Sequence, residues 1–118
     1  MKNYRSLKIW QQGIEIVKLT YSMTKLFPSN EKYNLVSQMN RSAVSIPSNI
    51  AEGSSRRSDK DYHRFIEIAL GSCFELDTQC EIVKQLDLVS EEKIKELTHL
   101  LEEEGMMLQG FMSKLRGH

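Results

Sequence analysis

Cysteine and histidine are the most reactive side chains in this chain, which has two cysteines and three histidines. Cys73 and Cys80 stand seven residues apart in a stretch of helical periodicity. Two helical turns separate their Cα atoms by roughly 10.5 Å, beyond the ~7 Å that a disulfide spans. Both fall on the apolar side of that stretch and read as reduced, inert core thiols. Glu96-Leu97-Thr98-His99 has the Glu-x-x-His spacing from which helical bundles build di-iron sites. Such a site needs the motif twice, and Lys60 stands three residues before His63. Inward positions at Ile94, Leu97 and Leu101 turn Glu96 and His99 to solvent. No metal or other cofactor is expected. No nucleophile–base pair and no glycine-rich phosphate loop accompanies these residues, so the chain reads as non-enzymatic.

Charge is the other chemical resource. The chain carries 16 Lys/Arg and 16 Asp/Glu, a formal net charge of zero that hides an asymmetry. Residues 1–60 hold ten basic and four acidic side chains, whereas residues 61–118 hold six and twelve. A neutral whole argues against indiscriminate nucleic-acid binding, but segregation leaves room for a local basic face. The plainer reading is intramolecular, a basic half packed beside an acidic half. Arg5 and Lys8 begin the first helical segment, while Arg56, Arg57 and Lys60 surround the entry to the third. Antiparallel packing would gather these five at one end, a candidate surface for RNA or DNA phosphates. Arg41, Asn49, Glu52 and Glu75 form a second polar group. They read either as a ligand site or, more plainly, as a network fixing one helix against its neighbour.

These side chains need a scaffold, and the sequence describes one. A chain of 118 residues suits a single domain over 1–118. With 40% apolar and 27% charged residues, six Gly and two Pro, it is neither collagenous nor disordered. Its longest apolar runs are three residues (Ile68–Leu70, Met106–Leu108), too short for a membrane span or a signal-peptide core. A cytoplasmic location without membrane contact is therefore expected.

Helical periodicity recurs four times, with no convincing strand. Leu7, Trp10, Ile14, Val17 and Tyr21 mark a helix over about 6–27, with Ser6 as N-cap and Phe27-Pro28 as its stop. Ser29 or Asn30 is expected to cap the second, whose stripe is Leu35, Met39, Ala43, Ile46 and Ile50. Pro47 falls inside that stripe, and a kink rather than a break is expected there. Ser58-Asp59-Lys60-Asp61 resembles a capping box ahead of Tyr62, Phe65, Ala69, Cys73, Leu76, Cys80 and Val83. Ser90-Glu91-Glu92 opens the fourth, with Ile94, Leu97, Leu101, Leu108, Phe111 and Leu115. Short connections make the helices antiparallel neighbours, so the expected fold is all-α, an up-down-up-down four-helix bundle. Between helices 2 and 3, residue 41 is expected opposite residue 71, with Gly71 and Ser72 allowing close approach. Helix 1 carries a second apolar stripe at Ile9, Ile16, Leu19, Met23 and Leu26, which suggests a homo-oligomer interface.

Two strings are more distinctive than periodicity: Gln38-Met39-Asn40-Arg41-Ser42-Ala43-Val44-Ser45-Ile46-Pro47-Ser48-Asn49-Ile50-Ala51-Glu52-Gly53, and Phe65 through Gln79. With Leu7-Lys8-Ile9-Trp10-Gln11, they resemble the four-helix-bundle family encoded in intervening sequences of bacterial 23S rRNA genes, the S23 ribosomal protein-like family. That family also includes the accessory variability determinant of diversity-generating retroelements. The resemblance implies assembly into a homopentameric ring. For the retroelement relative it also implies binding of nucleic acid and of a reverse transcriptase. Two functional expectations follow: a ring-forming, nucleic-acid-associated accessory protein, or a helical scaffold that binds another protein and no nucleic acid.

Overall fold

The ends of the helices follow from local side-chain chemistry. The computed structural model describes residues 3–116, and among them there is no strand. A 3-10 turn at Tyr4–Ser6 leads into α1 (Lys8–Thr24), followed by α2 (Ser37–Ser54), α3 (Asp59–Gln85) and α4 (Glu91–Arg116). The molecule is rod-like, 46 × 22 × 20 Å. Ser58 caps α3 as its spacing predicted, accepting the Asp61 N–H at 3.1 Å, and Asp59 and Asp61 sit at the positive helix end.

Two other starts differ from expectation. Ser6 is not the cap of α1: its hydroxyl donates to the Asn3 carbonyl at 2.9 Å and closes the 3-10 turn. Leu7 takes the cap position in extended conformation, with no side-chain bond. After Pro28 the chain makes a 3-10 turn at Ser29–Glu31 and a π-helical turn at Lys32–Val36 before α2 becomes regular. Once regular, α2 runs unbroken through Pro47 to Ser54. Pro47 removes the donor that the Ala43 carbonyl would have used. Its ring fills the space beside Gly13, where an added Cβ would lie 3.2 Å from the Pro47 Cβ. Packing between α1 and α2 thus retains a residue that propensity alone would reject.

Contacts down each seam define an antiparallel order. Gly13 meets Pro47 and Thr24 bonds Asn40 at 3.1 Å, so α1 and α2 run in opposite directions. Between α2 and α3, Ser45 and Ser72 bond at 2.8 Å, and Gly53 lies against Phe65. The Tyr62 and Phe111 rings meet edge to face across α3 and α4, and Gln12 of α1 donates to the Leu100 carbonyl of α4. The bundle is therefore up-down-up-down.

The core corrects the assignment of faces on α1. The stripe turned inward is Ile9, Gly13, Ile16, Thr20 and Met23, all buried. Ile16 and Met23 have no exposed surface and Ile9 only 4%, so these three belong to the chain's own core and are not an oligomer interface. Leu19 is half-buried and Leu26 exposed. Conversely, Leu7, Trp10, Ile14 and Val17 are half-buried and Tyr21 is exposed. Hydrophobicity alone does not choose between two apolar stripes. Gly13 does, because its missing side chain lets the α1 backbone approach Pro47. Close approach of α2 to α3 likewise occurs at Ser45, Ser72 and Gly53; Gly71 has open space around it.

Candidate nucleic-acid interface

The register of α1 on α2 decides where the basic residues fall. With Gly13 level with Pro47, the 3-10 turn at Tyr4–Ser6 lies level with the end of α2 and the loop into α3. Arg5 and Lys8 therefore share one end of the bundle with Arg56, Arg57 and Lys60, all five exposed. Two cations not singled out from sequence join them. Arg64 lies in the second turn of α3, and Lys114 of α4 lines a shallow groove with Lys8. Their signal was available, since an antiparallel α4 must finish where α1 begins.

Three of the guanidinium groups are held over aromatic rings. Arg5 lies 5.4 Å from the Trp10 ring centre and 5.6 Å from that of Tyr4. Arg56 lies 4.6 Å from the Phe65 ring, and Arg64 lies 5.6 Å from the same ring. Tyr4 and Trp10 support each other edge to face at 5.5 Å. Stacking restricts a long side chain while leaving its N–H edges free for oxygen acceptors. Acids at this end are Glu52, Asp59 and Asp61, and Glu52 accepts from Arg56 at 2.9 Å. The ion pairs Lys18–Glu15, Arg56–Glu52, His63–Glu67 and His99–Glu103 each join side chains three or four residues apart in the chain. None of these four links the basic half to the acidic half.

The second polar group resolves differently. Asn49, half-buried, donates to the Ser45 carbonyl at 2.8 Å and to its hydroxyl at 2.9 Å, and that hydroxyl bonds Ser72. This chain is a helix-to-helix tie. Glu52 belongs to the basic end instead. Arg41 and Glu75 are both exposed and pair with no described residue, so they are not part of the network. The α2–α3 register explains this: Ser45 opposite Ser72 shifts residue 41 toward residue 76, away from residue 71.

Glu96 and His99 point to solvent, and no metal-binding cluster occurs among the described residues. Cys73 and Cys80 are free and buried, and desolvation pushes both thiols up to about 12. Glu104 was missed entirely. It is completely buried in α4, and neither carboxyl oxygen has a hydrogen-bond partner. Desolvation pushes its carboxyl up to about 8. The α4 stripe steps by seven between Leu101 and Leu108, and the inward position inside that gap is residue 104.

An antiparallel four-helix bundle with a tied α2–α3 seam and one cationic end is the class of protein these features define. The 23S rRNA-intervening sequence protein family matches residues 5–110, and the chain belongs to that family. Its fold is similar to the crystal structure of a protein with unknown function from the S23 ribosomal protein family of Bacteroides thetaiotaomicron. The TM-score is 0.82 at 20% identity, covering 89% of this chain and 95% of that one. Among curated proteins no relative matches the chain. No helix among the described residues is long and apolar enough to cross a membrane.

Proposed function

We propose that this protein is a non-enzymatic accessory protein that assembles as a homo-oligomeric ring and holds RNA or DNA by the phosphate backbone at its basic end. The observation that carries the reading is the register placing Arg5 and Lys8 beside Arg56, Arg57 and Lys60. A neutral protomer gathers little nucleic acid through its net charge, so repetition around a ring supplies the multivalency. No base-reading element accompanies the cations, so recognition is of phosphate and shape. Each phosphate neutralised on duplex DNA steepens the log–log salt dependence by about 0.9. Changing Arg56 and Arg57 together to Glu weakens binding to all sequences alike and flattens the salt slope. An affinity loss confined to one sequence would count against backbone recognition.

A second reading, an adaptor for another protein, rests on the outer seam of α3 and α4. Phe74 and Met106 are 62% and 61% exposed there. They flank a groove of about 270 Å³ whose rim includes Asp77 and Glu102. Absence of binding to RNA or DNA at about 50 mM salt, where phosphate contacts are strong, selects this reading.

A further inference from the structure

Glu104 lies in the middle of α4 with no exposed surface, among helices that offer it no cation. The buried faces of α1 and α2 contain no titratable side chain. That of α3 contains Tyr62, Cys73 and Cys80. All three are pushed upward by desolvation, so none becomes charged near neutral pH. Cys73 is close enough to feel the Glu104 charge. Among the described residues, the remaining titratable groups turned partly inward are His63 and Asp59 of α3, Lys93 and Glu103 of α4, Tyr4 in the first 3-10 turn and Glu31 in the second. Glu103 is engaged by His99 on the outside of α4. Asp59, His63 and Lys93 lie two or more turns away along the bundle.

The surroundings also provide an exit. Cys73, Leu101 and Gly105 line the groove on the outer α3–α4 seam, so the groove reaches the chain neighbour of Glu104 and the thiol that feels its charge. Gly105 contributes no side chain to that lining; its absent Cβ would meet only the Leu70 Cδ1, at 3.7 Å. An acid with two unpartnered oxygens tolerates such a core as a neutral group and not as an anion.

We propose that Glu104 is a proton-controlled latch: its neutral carboxyl keeps the middle of α4 packed on α3, and its ionisation opens that seam to water. This goes beyond the nucleic-acid reading and does not depend on it. The direction follows from linkage. Between the ordinary carboxyl value of 4.5 and about 8, the closed bundle holds a proton that the opened seam gives up. Opening therefore becomes easier as pH rises through that window and levels off above it.

Amide hydrogen exchange of the full-length protein, corrected for intrinsic rates, tests this from pH 5 to pH 9. In the wild type, protection of α4 amides around residue 104 falls on the order of a thousandfold across the window. In Glu104→Gln it stays flat, and His63→Gln keeps the wild-type slope. Infrared spectroscopy of the wild type at pH 7 shows the C=O stretch of a protonated carboxyl, which Glu104→Gln removes. A pH-independent wild type, an unchanged slope in Glu104→Gln, or loss of the slope in His63→Gln overturns the latch. Should Glu104→Gln not fold, Glu104→Met replaces it, and absence of the protonated band in the wild type is decisive by itself.

Discussion

At the residue scale, the bundle is sensitive where side chains have no room and tolerant where they have space. An added Cβ at Gly53 would lie 2.8 Å from the Phe65 Cβ and 2.9 Å from the Tyr62 ring, both anchored close to the α3 backbone. Gly53→Ala is expected to lower stability by about 1–3 kcal/mol, the usual cost of overpacking. Gly71 and Gly110 have open space around them within regular helix. Gly71→Ala and Gly110→Ala are each expected to raise stability by about 1 kcal/mol through helix propensity. Denaturant midpoints of the three variants check the pattern, and a stabilised Gly53→Ala would contradict the packing described. Ile16→Ala should cost about 2–5 kcal/mol as a core cavity, with no preferential effect on assembly. Glu104→Leu carries its own signature. Its gain over wild type should be small near pH 5 and on the order of 4 kcal/mol near pH 8, following the raised carboxyl.

At the element scale, the exit from α3 shows a local rule met imperfectly. Asp87 donates its N–H to the Lys84 carbonyl, and Leu88 donates to Val83, the paired bonds of a Schellman ending. The motif needs a left-handed residue, and Asp87 supplies it at φ 56°. Aspartate bears a steric cost there that glycine lacks, and its charge faces the negative end of α3. Asp87→Gly is therefore expected to stabilise the protein by about 1 kcal/mol, read as a higher thermal midpoint. Destabilisation would mean that the Asp87 side chain makes a compensating contact. Pro47 is the opposite case, where a residue costly to a helix is retained because its ring packs against Gly13.

At the scale of the whole molecule, charge is segregated in space, and the four ion pairs named above do not link its two halves. That arrangement favours association with something else, nucleic acid or another copy. Sedimentation of the wild type at micromolar concentration should show an oligomer under the proposed reading. A monomeric wild type would remove the ring and leave the adaptor reading. Binding that survives conversion of Arg56 and Arg57 to Glu with an unchanged salt slope would move the interface away from the basic end.

What the sequence determined by itself was the set of helices, the Ser58 cap and the antiparallel order. Their causes are local: periodicity of apolar residues, a hydroxyl three residues from a free N–H, and short connections from α2 to α3 and from α3 to α4 that favour antiparallel neighbours. Tertiary structure alone decided which stripe of α1 turned inward. Both stripes are apolar, and only the fit of Gly13 against Pro47 distinguishes them. It also decided that Arg41 and Glu75 remain apart, because a register is set by side-chain volumes along the whole α2–α3 seam. Glu104 stands between these cases. Its position was legible from the seven-residue step in the α4 stripe, but a charged residue type argued against the inward face. Burial overrode that preference because a carboxyl can enter the core neutral, which no rule of residue type expresses.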